Sequence, residues 1–136
     1  MAAPSQTTRP SRPRAVYRNI NITDLMRYRL PLPGIVSILH RISGALLFFF
    51  LWLLLWLFQA SVTDTARFNA LYGNPLVKLI LFALLWSMLH HLCAGIRYLW
   101  LDVSHAATEL KPARQSSAIV MIVSLALTVL FAVKLW

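Results

Sequence analysis

Ionisable side chains interrupt the second of three long apolar segments, and their types suit cofactor binding. Four of them follow the almost wholly apolar run 76–89: His90, His91, Arg97 and Asp102. Ionisable groups inside such a segment are costly to bury, so each is by default a candidate functional residue. With 3.6 residues per helical turn, His91 shares a face with Gly95, Tyr98 and Asp102. We therefore expect room for a flat ligand beside the bare backbone at Gly95.

A neutral imidazole is a good axial ligand for haem iron, which makes His91 a candidate haem ligand. His90 cannot supply the opposite ligand, because adjacent helical residues diverge by about 100°. His40 and His105 lie nearer the ends of the apolar segments, so we expect the second ligand to come from another chain. The haem propionates would meet three basic side chains at the same end: His40, Arg41 and Arg97. From periodicity alone, a hydrogen bond from His91 to a neighbouring helix is an equal alternative.

Ser37 and Arg41 lie four residues apart at the polar start of the first apolar segment. A quinone headgroup is a flat dicarbonyl that needs hydrogen-bond donors at the edge of an apolar pocket. A hydroxyl and a guanidinium one turn apart could provide them, and Arg41 could stabilise negative charge on a partly reduced quinone. The alternatives are that Ser37 bonds back to its own helix and that Arg41 reaches lipid phosphates.

The apolar segments that carry these residues predict three membrane-spanning helices. Of the 136 residues, 59% are hydrophobic and 12% are charged, too apolar a composition for a soluble domain of this size. Three windows can cross roughly 30 Å of hydrocarbon as helices, at about residues 35–58, 76–101 and 117–135. The predicted fold is therefore an all-α membrane protein that forms part of a larger helical bundle.

The basic residues are distributed by membrane topology. The formal net charge is +9, and most basic residues precede the first helix or lie between the second and third. Under the positive-inside rule, these regions are cytoplasmic, which places the N-terminus in the cytoplasm and the C-terminus in the periplasm of a bacterial inner membrane. The basic residues do not cluster beside aromatic platforms, so we expect membrane lipids and no nucleic acid as partners.

Composition also predicts where the functional part of the chain begins. Residues 1–23 form a basic cytoplasmic tail with too little apolar content for a core, so we expect it to be flexible or bound to a partner. Residues 24–136 form the transmembrane domain that would bind haem and quinone. Cys93 is the single cysteine, so any iron–sulfur cluster must belong to a partner chain.

Two motifs resemble those of a known family. The segment 37–44, Ser-Ile-Leu-His-Arg-Ile-Ser-Gly, is similar to the S-x-x-H-R-x-S-G signature of the cytochrome b membrane-anchor subunit of succinate dehydrogenase, respiratory complex II. The segment 91–97, followed by Asp102, resembles the second signature of that family, H-x-x-x-G-[apolar]-R with a later Asp. The resemblance covers roughly residues 24–136, and the two motifs occur in the expected order on the first and second helices.

The resemblance implies a role for each matching residue. His91 would be the axial ligand of haem b, Ser37 and Arg41 would bind ubiquinone, and His40, Arg41 and Arg97 would lie near the haem propionates. It also implies three partner chains: a flavoprotein with the succinate-oxidising site, an iron–sulfur subunit, and a second anchor that supplies the other haem histidine. The chain would thus be a membrane subunit of a succinate:ubiquinone oxidoreductase with no catalytic residue of its own.

Two departures and three alternatives accompany this interpretation. Tyr98 stands where many members of the family have histidine, which puts one propionate contact in doubt. Asn19 and Ile20 replace an Arg-Pro pair that is usual upstream of the first motif. The alternatives are the anchor of a fumarate reductase that uses a low-potential quinone, a haem-free structural anchor, and a small transporter. A transporter needs a polar path across the whole membrane, whereas the polar residues of this chain lie in one half.

Overall fold

The computed structural model of the protein describes residues 29–135, apart from the side chains at positions 105, 106 and 135. The tail predicted for residues 1–23 lies outside the described residues, as do residues 24–28 and 136. The described elements are α1 (Leu32–Phe49), α2 (Leu51–Thr63), α3 (Thr65–Tyr72), α4 (Pro75–Val103), a 3₁₀ turn (His105–Thr108) and α5 (Leu110–Leu135). This part of the chain contains no strand, which confirms the predicted all-α class.

Three of these helices are long and apolar enough to span a membrane. They are α1 with 18 residues, α4 with 29 residues, and a stretch of 25 residues within α5. At about 1.5 Å per residue, α1 is some 27 Å long and α4 some 43 Å, compared with a hydrocarbon core of roughly 30 Å. The prediction of a membrane protein with three spanning helices is confirmed.

The first apolar segment forms two helices where the sequence analysis expected one over 35–58. They meet at Phe50, whose φ of −98° and ψ of 7° depart from helical values. The Phe50 N–H still donates to the Leu46 carbonyl at 3.0 Å, and the Phe50 carbonyl accepts from the Leu54 N–H at 3.2 Å. The break therefore distorts the helix while it keeps backbone hydrogen bonds on both sides. The helix also begins earlier, at Leu32, because a proline in the first turn needs no acceptor for a missing N–H.

Two side-chain caps shape the connection between α2 and α4. The Asp64 carboxylate accepts from the Arg67 backbone N–H at 3.0 Å and caps α3. The Asn74 side-chain oxygen accepts from the Leu76 N–H at 2.9 Å, and Pro75 opens α4. These caps satisfy N–H groups that have no partner in a helix's first turn.

α4 lies between α1 and α5 and packs against both. A small core of Val36, Ala94 and Val120, one residue from each helix, is closed to solvent. α5 begins at Leu110, earlier than the predicted position 117, since Pro112 is tolerated in a first turn and the Ala113 N–H bonds to the Glu109 carbonyl at 2.9 Å. The two interfaces of α4 carry four of the polar residues that sequence reasoning singled out: His40, His90, His91 and Arg97.

Candidate functional site

The imidazole of His91 is held at one nitrogen by α1. Its Nδ1 lies 3.0 Å from the carbonyl oxygen of His40 and 3.3 Å from the hydroxyl oxygen of Ser43. That hydroxyl also donates to the His40 carbonyl at 2.9 Å. Because a carbonyl only accepts hydrogen bonds, the proton of neutral His91 is on Nδ1, and Nε2 keeps its lone pair. A metal-ligating histidine commonly has its other nitrogen bonded to a backbone carbonyl in this way.

The glycine that makes room for the His91 ring is on α1. A β-carbon on Gly44 would lie 2.8 Å from Cε1 and 3.2 Å from Nδ1 of His91. A β-carbon on Gly95 would meet Nε2 of His40 at 3.8 Å. The expectation of free space beside Gly95 is therefore wrong, because the His40 imidazole lies there. Helical side chains lean toward the N-terminus, so the His91 ring leans away from Gly95, which follows it.

Two further aromatic rings complete this α1–α4 face. The His40 and His91 rings are stacked, with centroids 4.1 Å apart and planes 9° from parallel. Tyr98 lies against His40, with centroids 5.2 Å apart and planes tilted by 55°. Within residues 29–135, the buried Tyr98 hydroxyl has no hydrogen-bond partner. Asp102, predicted on the same face as His91, is exposed. The face thus brings together His91 and His40, two of the five predicted site residues.

Arg97 turns to the other interface, between α4 and α5. Its guanidinium donates from Nε to the Ser116 hydroxyl at 2.9 Å and from Nη2 to the Ala113 carbonyl at 3.3 Å. It also lies 5.3 Å from the centre of the Tyr98 ring, and only 6% of its surface is exposed. Six residues after His91, a helical side chain is rotated by about 240°, so the two residues do not share a face.

His90 is fully buried on the same α4–α5 side. Its Nδ1 lies 3.3 Å from the hydroxyl oxygen of Ser124, and its ring stacks on Trp86 with centroids 5.1 Å apart. The Ser124 hydroxyl also donates to the Met121 carbonyl at 3.2 Å. His90 is therefore a packing and hydrogen-bonding residue of this interface.

The two predicted quinone residues, Ser37 and Arg41, lie on α1 at the margin of the α1–α4 face. Ser37 is half-buried and Arg41 is exposed. Within the described part of the chain, no hydrogen bond ties the Ser37 hydroxyl back to its helix, although the Ser43 hydroxyl makes such a bond. The alternative that Ser37 bonds back to its own helix is therefore not observed among the described residues.

Sequence reasoning missed the individual roles of Ser43 and Gly44. Both belong to the motif 37–44, but only its serine at 37, histidine and arginine received functions. Small residues are typical of places where membrane helices approach closely, and Ser43 is completely buried. A Ser–Gly pair in the middle of an apolar helix could therefore have indicated the contact with α4.

The described residues contain no group of three or more histidine, cysteine or acidic side chains that could hold a bare metal ion. A porphyrin needs less from the protein, because its own nitrogens supply four of the iron ligands and a single histidine can add a fifth. His91 fits that requirement, because its Nδ1 is hydrogen-bonded to α1 while its Nε2 keeps a lone pair.

Comparison with known proteins agrees with the fold and the motifs. A family model described as the succinate dehydrogenase/fumarate reductase transmembrane subunit matches residues 12–131. The succinate dehydrogenase cytochrome b556 subunit of Paracoccus denitrificans is 35% identical over 109 residues, which cover 78% of this chain and 83% of that protein.

Two other relatives with the same description are similarly close. The protein of Coxiella burnetii is 33% identical over 123 residues, covering 88% of this chain and 97% of its own. That of Rickettsia prowazekii is 32% identical over 103 residues, covering 76% and 82%. The chain therefore belongs to the family of succinate dehydrogenase/fumarate reductase transmembrane subunits, which confirms the resemblance predicted from its two motifs.

Proposed function

We propose that the chain is the cytochrome b anchor subunit of a succinate:ubiquinone oxidoreductase, where it helps to hold haem b and to deliver electrons from succinate to ubiquinone. One observation carries the proposal: α1 binds Nδ1 of His91 and leaves Nε2 with its lone pair. Relatives that are 35% and 33% identical to the chain are named cytochrome b556 subunits, which supports the haem assignment. Bound haem would supply a one-electron redox centre, with His91 as the axial ligand from this chain.

Basic side chains on both interfaces of α4 could bind the haem propionates. Arg41 is exposed beside His40 on α1, while Arg97 is buried and already bonds to Ser116 and Ala113. These bonds use two of the five N–H donors of the Arg97 guanidinium. Arg97 would therefore bind a carboxylate from a position that its hydrogen bonds to α5 fix. Arg41 is exposed and makes no such hydrogen bonds among the described residues.

Ser37 and Arg41 would form this chain's part of the ubiquinone site. The Ser37 hydroxyl has no hydrogen bond to its own helix among the described residues and can donate to a quinone carbonyl. Arg41 adds a positive charge one helical turn away, where it would stabilise negative charge that develops on the quinone during reduction. Neither residue oxidises succinate, since that reaction belongs to a partner subunit.

The proposal requires partners that complete both sites. The second haem ligand would come from a sister anchor subunit, and electrons would arrive through an iron–sulfur subunit from a flavoprotein. The complex would lie in the bacterial inner membrane, with the N-terminus of this chain in the cytoplasm and its C-terminus in the periplasm, as the distribution of basic residues predicts.

Two alternatives remain distinguishable by experiment. The family description includes fumarate reductases, and comparing ubiquinone with a low-potential quinone as substrate of the purified complex would separate the two enzymes. A haem-free structural anchor would give a reduced-minus-oxidised visible spectrum without a b-type band. We expect a b-type band and turnover with ubiquinone.

Replacing Arg41 with Leu tests the quinone site. We expect ubiquinone reduction by the complex to fall about tenfold or more, because a preorganised charge worth roughly 1.4 kcal/mol or more is lost. Succinate oxidation with a soluble artificial acceptor should stay near the wild-type rate, since the Leu variant leaves the partner's site intact.

Arg114→Leu is the matched control, because Arg114 is also an exposed arginine but lies on α5. It should leave both rates unchanged. An equal loss of both activities in the Arg41 variant would count against a quinone role for that residue.

A further inference from the structure

The Ser43–Gly44 pair on α1 contacts the imidazole of His91 on α4, although the proposed function gives neither residue a role. The hydroxyl oxygen of Ser43 lies 3.3 Å from Nδ1 of His91. A β-carbon on Gly44 would lie only 2.8 Å from Cε1 of the same ring. We propose that Ser43, Gly44 and the carbonyl of His40 form a seat that sets the orientation of the His91 ring, so that Gly44 is a positioning residue for the haem ligand. This inference rests on the proposed role of His91.

The seat limits the ring at its edge. The His40 carbonyl lies 3.0 Å from Nδ1 and accepts its proton, and Ser43 lies within 3.3 Å of the same nitrogen. Rotation of the ring about its bond to the β-carbon would break this part-buried hydrogen bond, and an unpaired donor shielded from water is costly. The hydrogen bond therefore selects both one tautomer and one ring orientation.

The position of the His91 ring is limited from two sides, by the His40 imidazole and by Gly44 of the seat. The imidazole of His40 stacks on that of His91 at 4.1 Å, so the His91 ring cannot move freely toward it. Packed carbon atoms lie about 3.5–4.0 Å apart, so a β-carbon 2.8 Å from Cε1 would force the His91 ring to shift. Only a residue without a β-carbon allows the observed arrangement at position 44.

The other glycines of the two helices lack this constraint. A β-carbon on Gly34, also in α1, would lie 3.8 Å from its nearest neighbours, both in Pro31. One on Gly95 would lie 3.8 Å from His40. Both are ordinary contact distances, so the close fit at Gly44 is specific to its position against His91 and does not reflect a general need for glycine.

The test compares Gly44→Ala with Gly34→Ala in the complete complex purified with its partners. Both variants add one methyl group to a glycine of the same helix, but only the first presses on His91. We expect the Gly44 variant to shift the haem midpoint potential and the largest g-value of the ferric haem, or to lose haem. The Gly34 variant should match the wild type in haem content, potential and g-value. Wild-type values in an assembled Gly44→Ala complex would overturn the inference.

Ser43→Ala provides a second route if the Gly44 variant fails to assemble. This substitution removes an oxygen without adding bulk, so the interface can still close. We expect retained haem with a changed g-value, because the hydroxyl no longer contacts Nδ1 or the carbonyl that accepts its proton. An unchanged g-value would overturn the seat.

A His91→Leu complex measured in the same series separates the two proposals. If that complex loses its haem and the variants of the seat keep wild-type spectra and potentials, only the seat is wrong. If the His91→Leu complex keeps a wild-type haem, the proposed role of His91 fails, and the seat fails with it.

Discussion

Two adjacent histidines of α4 lie in different surroundings, His91 on the α1 side of the helix and His90 on the α5 side. On the α1 side, His91 is half-buried, and a backbone carbonyl binds its Nδ1. On the α5 side, His90 is fully buried against Trp86, and its Nδ1 lies near the hydroxyl of Ser124. The α1 face presents a ring with one nitrogen anchored, whereas the α5 face encloses its ring in packing.

The two histidines differ in how far their rings are enclosed and not in their tautomer. The His40 carbonyl accepts from Nδ1 of His91. The Ser124 hydroxyl donates its proton to the Met121 carbonyl, so it accepts from Nδ1 of His90, and both rings keep the lone pair on Nε2. A ligand for a metal needs a defined lone pair in a defined direction. The lone pair of His90 is fully buried among the described helices, whereas His91 is only half-buried. This difference supports the proposed role of His91 as the haem ligand and makes His90 a packing residue.

Replacing each histidine with Leu should produce the largest difference between the two faces. We expect His91→Leu to abolish or strongly perturb the b-type band of the purified complex, because the axial ligand is lost. His90→Leu removes a hydrogen bond worth about 0.5–1.5 kcal/mol and should keep the band. The measurement is a reduced-minus-oxidised visible spectrum, normalised to the amount of assembled complex.

Loss of the band in the His90 variant alone would reverse the assignment of the two faces. Loss in both variants, with assembly intact, would show that haem binding also depends on the packing of His90 between α4 and α5.

A smaller effect is expected from Arg97→Leu on the α5 face. The substitution leaves the Ala113 carbonyl and the Ser116 hydroxyl without the guanidinium, and a hydrogen bond to a charged group is worth about 1.5–3 kcal/mol. The thermal unfolding midpoint of the complex in detergent should therefore fall, while much of the b-type band remains. Arg97→Lys should restore only part of the stability, because lysine lacks the planar set of donors.

Arg114→Leu, which changes an exposed arginine on α5, should leave the unfolding midpoint unchanged. If Arg97→Leu also leaves it unchanged but removes the haem, Arg97 would act through the cofactor and not through its contacts with α5.

The three membrane helices and the two motifs were predictable because both depend on local patterns. Long apolar runs predict spanning helices from length alone, and the motif around His91 occupies consecutive helical turns. The bounds were less predictable. The break at Phe50 lies within an uninterrupted apolar run, and the early starts of α1 and α5 include prolines that a first turn tolerates.

The contacts between helices could not be predicted from one helix at a time. Periodicity placed Gly95 on the same face as His91, yet the ring leans toward the N-terminus of its helix and meets Gly44 of α1 instead. Likewise, the rotation of Arg97 away from His91 follows from periodicity, but its bonds to Ser116 and Ala113 depend on how α5 packs. Faces can be read from a sequence, whereas the partner of each face depends on tertiary packing.

Chemical rescue of a His91→Gly complex tests the central claim most directly, because it asks whether the imidazole of His91 itself is the iron ligand. We expect the variant complex to lack the b-type band and to regain it when free imidazole is added, since the small ligand can occupy the vacated space. The His90→Gly complex should show the band without imidazole. A wild-type band in the His91→Gly complex before imidazole is added would contradict the account.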